Sequence, residues 1–150
     1  MSIHINDQGI LEIPDEYDDT LGTFLFLEIG YDPYKCLVAL FHVAQIVQRR
    51  STRQAVGGDS VSVEVTPEIA AMQDHFAPSR SKNIPFEDFK AAVEELWVVI
   101  YRANSEDRPS RVFRPDLSPA QGDLVLWEQT FKQRHPYRGQ IEGIPAHGPD

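Results

Sequence analysis

The sequence predicts an α+β fold in a single domain, residues 1–150: an N-terminal β-hairpin and one further short strand packed against three to four helices. Three patterns support this prediction. Apolar residues alternate within residues 3–13, a nearly continuous apolar run covers residues 36–47, and residues 84–103 are amphipathic with helical spacing. A chain of 150 residues with 41% hydrophobic and 25% charged residues is long enough to bury one core.

The β-hairpin is predicted over residues 3–13. Apolar and polar residues alternate on both sides of the turn sequence at residues 6–9, in which Gly9 can adopt a positive φ angle. Pro14 ends the second strand, because proline has no N–H group to donate to a sheet.

The stretch from Gly9 to Gly22 resembles the hairpin of the swapped-hairpin DNA-binding family typified by AbrB and MazE. That family carries a G-R-I-x-I-P segment and then a short basic helix that ends in Leu-Gly. The matching residues here are Gly9, Ile13, Pro14, Leu21 and Gly22. Ile10 stands at the family's arginine position, and acidic residues replace the basic helix. The resemblance therefore implies a hairpin followed by proline, without the phosphate contacts that DNA binding requires.

Two interpretations stay open for residues 20–29. Their continuous apolar character fits a buried strand, whereas a helix would align Tyr17 with Leu21 on one side. We favour a short helical turn at residues 15–21, followed by a buried strand or helix that Gly30 ends.

The most apolar stretch, residues 32–50, is predicted to be the central helix. Asp32 is a favourable N-cap, and Pro33 suits the first helical position because no N–H donor is needed there. Only His42 and Gln45 interrupt the apolar run that follows. A helix with so wide an apolar surface must be covered on several sides.

The middle of the chain is predicted to contain a loop, a strand, a helix and a second loop. The first loop covers residues 51–60, and residues 61–65 alternate as a half-buried strand. Thr66-Pro67 is expected to begin a helix in the same way as Asp32-Pro33. The apolar side of this helix would consist of Ile69, Met72 and Phe76. The second loop covers residues 77–83.

Two amphipathic helices complete the predicted core. The first spans residues 84–103. Its inward face would consist of Phe86, Phe89, Val93, Leu96, Trp97, Ile100 and Ala103. After a polar loop, residues 118–121 form a capping box that begins the second helix, which ends at His135-Pro136. Its inward residues would be Leu124, Trp127 and Phe131.

The last residues, 136–150, are rich in glycine and proline and are not expected to form regular structure. They either pack on the core through Tyr137, Ile141 and Ile144 or form an irregular, frayed tail.

The negative charge is concentrated at the N-terminus. The net charge is −9, and residues 1–32 hold eight of the 23 acids and none of the 14 Lys and Arg residues. Nucleic acid is excluded as a partner of this end, because phosphate binding needs clustered basic side chains. We expect it to bind a protein with a basic surface, with Tyr17 as an aromatic anchor among the acids. The candidate partner-binding residues are Asp15, Glu16, Tyr17, Asp18 and Asp19.

No motif for catalysis or metal binding is found. The histidines do not show H-x-x-x-H spacing, the acids at residues 15–19 lack the spacing of an EF-hand, and Gly57-Gly58 belongs to no phosphate-binding loop. We therefore predict no catalytic residue, no metal and no cofactor. The start of the chain lacks the pattern of a signal peptide, and Cys36 lies in an apolar helix. These observations predict a cytoplasmic protein with no membrane partner.

The favoured function is that of an immunity or antitoxin-type inhibitor, which neutralises a basic toxin or nuclease by binding and masking its active surface. The alternative is a small enzyme or ligand-binding domain with a pocket involving His42, His75 or the Arg108–Arg114 loop. A third interpretation is an oligomeric regulatory or structural protein assembled through the hairpin. The expected assembly for the inhibitor is a monomer or a homodimer.

Overall fold

The computed structural model describes residues 2–103 and 113–150. It begins with the predicted hairpin, in which β1 (His4–Ile5) pairs antiparallel with β2 (Leu11–Glu12). The turn between them contains Gly9 at a φ of +80°. The Asn6 side chain accepts hydrogen bonds from the N–H groups of Gln8 and Ile10, at 2.9 and 3.0 Å. The predicted hairpin and its glycine turn are confirmed.

The ambiguous segment that follows is helical. Helix α1 (Asp19–Phe24) continues into a π-helical turn (Leu25–Ile29), and Gly30 ends it at a φ of +59°. The N-cap is Asp18, whose side chain accepts from two backbone N–H groups of the first turn. The helical interpretation was therefore the correct one, although the helix begins at residue 19 and not at residue 15.

The predicted central helix is α2 (Pro33–Val47), and it lies where expected. Asp32 caps it by accepting from the N–H groups of Tyr34 and Lys35. Leu37 and Leu40 are fully buried, and the helix contacts the two later helices and the first strand of the sheet that follows it. Cys36 is buried as predicted, and this burial raises the pKa of its thiol.

A four-stranded antiparallel sheet follows, where the sequence predicted one further strand. Its strands are β3 (Gln54–Gly57), β4 (Val61–Val65), β5 (Ile69–Asp74) and β6 (Lys82–Pro85), in that spatial order. Strand β4 confirms the predicted strand. Strand β3 lies within the predicted loop at 51–60, and β6 begins within the predicted loop at 77–83.

The prediction that a helix begins at Thr66-Pro67 is wrong. The backbone N–H of Thr66 donates to the carbonyl of Ile69 at 2.9 Å, and its hydroxyl oxygen lies 3.3 Å from the N–H of Ile69. These contacts form a tight turn that returns the chain as β5. Met72 is buried on the inner face of the sheet, but Ile69 and Phe76 are 37% and 80% exposed. The helical spacing of these three residues therefore did not mark a shared apolar face.

The two later helices are confirmed, with shifted ends. Helix α3 spans Phe86–Ala103 because the two preceding residues belong to β6, and its predicted inward residues are buried except Ala103, which is half-buried. Helix α4 (Pro119–Phe131) begins at the predicted capping box and ends at Lys132, which has a left-handed conformation. Trp127 is buried, but Phe131 is 40% exposed and was wrongly assigned to the core.

The C-terminal residues pack on the helices, although they form no regular element beyond a bridge between Ile141 and Ile144. Ile144 is fully buried and Tyr137 is 5% exposed. The Tyr137 hydroxyl donates to the carboxylate of Glu94 on α3 at 2.8 Å. The packed alternative of the sequence prediction is therefore correct.

Two polar contacts attach this C-terminal segment to α2 and α4. His135 is 1% exposed, and its Nε2 lies 2.8 Å from the carbonyl oxygen of Leu37. Arg138 forms a nearly buried ion pair with Glu128 at 2.6 Å. Burial opposes ionisation of Glu128, but the hydrogen bonds from Arg138 and from the His135 backbone outweigh it and lower its pKa.

Candidate functional site

The acidic segment, residues 15–19, connects the hairpin to α1. Pro14 is buried, and its carbonyl accepts from the N–H of Tyr17 at 3.0 Å, which forms a turn. Asp15 and Glu16 lie in this turn with exposed side chains. Asp19 is also exposed, in the first turn of α1, where the helix dipole favours an acid.

Tyr17 attaches the acidic segment to the body of the protein. Its ring is half-buried, and its hydroxyl donates to the carboxylate of Glu95 on α3. The other oxygen of Glu95 accepts from the N–H of Ile3 at 2.9 Å. Burial and the hydrogen bond to Glu95 raise the pKa of Tyr17. Tyr17 therefore has a positioning role that the sequence did not indicate.

Asp18 is engaged within the fold in two ways. It caps α1, and its carboxylate forms an ion pair with Lys82 of β6 at 2.5 Å. Burial opposes its ionisation, but the hydrogen bonds from Lys82 and from the backbone of Leu21 and Thr20 outweigh it and lower the pKa of Asp18. The structure thus separates Asp18 from the more exposed acids of the segment.

Asp15 and Asp19 line a cleft of about 440 Å³, here called the acidic cleft. It is lined by Ile13, Pro14, Asp15, Tyr17, Asp18, Asp19, Gly22, Thr23, Phe26, Leu27 and Arg80. Neither Asp15 nor Asp19 forms an ion pair with a described residue. Arg80 donates to the Thr23 hydroxyl at 3.2 Å and lies 4.0 Å from the carboxylate of Asp74.

Large apolar side chains are exposed beside the acids. Phe26 and Leu27 line the acidic cleft and are 45% and 54% exposed. Both belong to the π-helical turn, a rare geometry that occurs frequently at functional sites. Outside the acidic cleft, Ile10 at the hairpin turn and Tyr31 are 47% and 42% exposed. The Tyr31 hydroxyl holds the turn by donating to the carbonyl of Gly9 at 2.9 Å.

The acidic segment also borders a second depression, of about 370 Å³, next to α3. Glu16 lines it together with Asp88, which lies in the first turn of α3. Asp88 is far from Glu16 in the sequence, in the helix predicted over residues 84–103. Sequence separation hid this neighbour, since the two acids are brought together by the packing of α1 against the sheet and α3.

The two histidines of the alternative pocket do not converge. His42 pairs with the Gln54 side chain at 2.6 Å on the inner side of the sheet, at the end of the β3–β4 hairpin far from its turn. His75 lies 2.9 Å from the Ser62 hydroxyl, on the outer face near that turn. Neither histidine lines the acidic cleft.

The arginine loop of the alternative is described only at its end. Arg108 and Arg111 lie outside the described residues. Arg114 forms an ion pair with Asp116 at 3.0 Å and donates to the backbone carbonyl of Asp150 at 2.7 Å. Within the described part of the chain, this arginine contacts Asp116 and Asp150 and not the histidines.

Within residues 2–103 and 113–150, no group of three or more His, Cys, Asp or Glu side chains could hold a metal ion. None of the described helices combines the length and the apolar character that crossing a bilayer requires. Comparisons of the chain with models of protein families, with curated proteins and with solved structures found no match.

Proposed function

We propose that the protein is a cytoplasmic inhibitor of the immunity or antitoxin type, which binds a basic toxin or nuclease and masks its active surface. The observation that carries the proposal is the acidic cleft. The carboxylates of Asp15 and Asp19, which form no ion pair with a described residue, border the exposed apolar side chains of Phe26 and Leu27. Protein interfaces combine an apolar centre with a polar rim in this way.

The distribution of charge supports a basic partner. Eight acids and no Lys or Arg occur in residues 1–32, which include the whole acidic segment. Such a concentration of negative charge attracts a cationic surface and accelerates the encounter. The proposal assigns contact with the partner to Asp15, Glu16 and Asp19.

Tyr17 and Asp18 have a different role in the proposal. Both are hydrogen-bonded within the fold, Tyr17 to Glu95 and Asp18 to Lys82 and the start of α1. They hold the acidic segment in one conformation before the partner arrives. Ordering a segment in advance reduces the entropy lost on binding, so these two residues contribute to affinity as positioning residues.

The test begins with a pull-down from the native host, followed by calorimetry with the basic protein captured. The variant Asp15→Lys with Asp19→Lys reverses the cleft charges without removing the N-cap of α1. A matched control, Asp59→Lys with Glu68→Lys, makes the same change in net charge at exposed positions of the sheet hairpins.

The cleft variant is expected to weaken binding by about 3 kcal/mol, or about a hundredfold, and the control by less than about tenfold. Raising the salt concentration should reduce the difference between them, because exposed charges are screened. Equal losses in the two variants would show that only the net charge matters and would reject the cleft as the interface. Thermal unfolding of both variants verifies that they fold.

A further inference from the structure

A second cleft, of about 310 Å³, lies on the other side of the π-helical turn, between α2 and the β3–β4 hairpin. Its walls are mainly apolar and include Phe24, Ile29, Val38 and Val56. Lys35 and Glu28 line the same cleft. A concave, mostly apolar site of this volume with a few polar groups is typical of a small-molecule site.

Lys35 and Glu28 do not form an ion pair with each other. Lys35 forms no ion pair with a described residue, although many other described basic side chains do. Glu28 forms no ion pair with a described residue either. Opposite charges that line one small cleft without pairing can each bind an opposite charge of the same ligand.

Among the described residues, Glu28 has one carboxylate oxygen in hydrogen bonds and one without a hydrogen-bond donor. Its Oε2 accepts from the N–H groups of Ser60 and Val61 at 3.0 and 3.1 Å, which fixes the side chain against the β3–β4 turn. A Cβ atom at position 58 would lie 3.1 Å from Oε1, so Gly58 leaves that oxygen accessible. A fixed acceptor on the π-helical turn and an exposed ammonium group on α2 fit a ligand that carries both a cationic and an anionic group.

We propose that this cleft binds a free amino acid with an apolar side chain, whose carboxylate pairs with Lys35 and whose ammonium group pairs with Glu28. The apolar side chain packs against Val38 and Val56. The proposal is independent of the inhibitor function, because the acidic cleft and this cleft are lined by different residues.

The test titrates the full chain with three probes of the same shape: L-phenylalanine, phenethylamine, which lacks the carboxylate, and hydrocinnamate, which lacks the ammonium group. Binding is followed by nuclear magnetic resonance through the backbone signals of Gly57 and Gly58, which line the cleft. Phenylalanine is expected to bind at least about fivefold more tightly than either analogue.

Two variants test which group of the ligand each charged side chain binds, and both substitutions are expected to preserve the fold. Lys35→Gln should remove the preference for phenylalanine over phenethylamine, and Glu28→Gln should remove the preference over hydrocinnamate. The glutamine oxygen can still accept from the β3–β4 turn. Lys132→Gln, at an exposed position after α4, is the control and should leave all three affinities unchanged.

Equal affinities for the three probes would overturn the proposal, because the cleft would then bind apolar surface without recognising charge. Unchanged signals of Gly57 and Gly58 at millimolar phenylalanine would also overturn it.

Discussion

Mild acid is expected to destabilise this protein through one buried histidine. The Nε2 of His135 lies 2.8 Å from the carbonyl oxygen of Leu37, and its Nδ1 accepts from the N–H of Tyr137 at 3.1 Å. The ring is therefore neutral, with its hydrogen on Nε2. Burial is the main reason that the pKa of His135 falls from 6.5 to about 4. Protonation would also remove the acceptor of the Tyr137 N–H group.

The sign and size of the effect follow from the two pKa values. In the unfolded chain His135 gains a proton as the pH falls through 6.5, whereas in the folded protein it stays neutral until about pH 4. The unfolded state binds more protons in this window, so the free energy of unfolding falls by about 1.4 kcal/mol per pH unit. Between about pH 7.5 and pH 5 the expected loss is about 2 kcal/mol.

The assay is urea denaturation at several pH values in this range, followed by tryptophan fluorescence. The variant His135→Gln should lower stability at neutral pH and remove most of the pH dependence, while His147→Gln, at an exposed position, should keep it. Asp18 and Glu128 have lowered pKa values, so their stabilising contributions decline only in more acidic solution. If wild type and His135→Gln lose stability equally between neutral pH and pH 5, the reasoning is refuted.

Four substitutions test the packing and one ion pair at neutral pH by the same denaturation assay. Gly57→Ala should destabilise by about 3 kcal/mol, because the backbone has a φ of +93° and the new Cβ would lie 2.5 Å from the carbonyl of Val61. Gly9→Ala, at a φ of +80° with open space, should lose only about 1 kcal/mol, and equal losses would contradict the steric argument. Phe89→Ala should lose about 3–5 kcal/mol, since its ring is fully buried 5.5 Å from Phe24; a loss below 1 kcal/mol would show that this part of the core collapses easily. Glu128→Gln should lower the free energy of unfolding by about 2 kcal/mol, because the Arg138 guanidinium loses its carboxylate partner. Unchanged stability would show that the ion pair makes no net contribution.

The elements that the sequence predicted well are those with local signals. Helix α2 follows from the Asp32-Pro33 cap and an apolar run, and α4 follows from the capping box at Ser118. The hairpin follows from Gly9 and alternating residues. In each case the decisive contacts join residues that are close in the sequence, at most eight apart in the hairpin, so the pattern alone contains the information.

The elements that were missed depend on distant contacts. Thr66-Pro67 can begin either a helix or a turn, and the pairing of Val65 with Ala70 decides for the turn. Strand β3 is short and has only Val56 as a large apolar residue, so it is defined by its pairing with β4. Propensity cannot identify a strand whose hydrogen-bond partners lie outside the segment considered.

The candidate site was predicted in part. The acidic segment is at the surface as a connecting segment should be, but the engagement of Asp18 by Lys82 depends on how β6 packs. The exposure of Phe26 and Leu27 was not expected, because a run of apolar residues was taken to be wholly buried. Which sides of a helix are covered is decided by its neighbours and not by its own composition.

Helix α3 carries two consecutive glutamates that hold opposite ends of the chain. The carboxylate of Glu95 accepts hydrogen bonds from the Tyr17 hydroxyl and the N–H of Ile3, and the carboxylate of Glu94 accepts one from the Tyr137 hydroxyl. Two consecutive residues of α3 thus bind the N-terminal and the C-terminal segments of the structure. Removing Ile3 or Tyr137 would take one hydrogen-bond donor from one of these neighbouring carboxylates and loosen the same helical turn, so we expect the two segments to detach together and not one after the other.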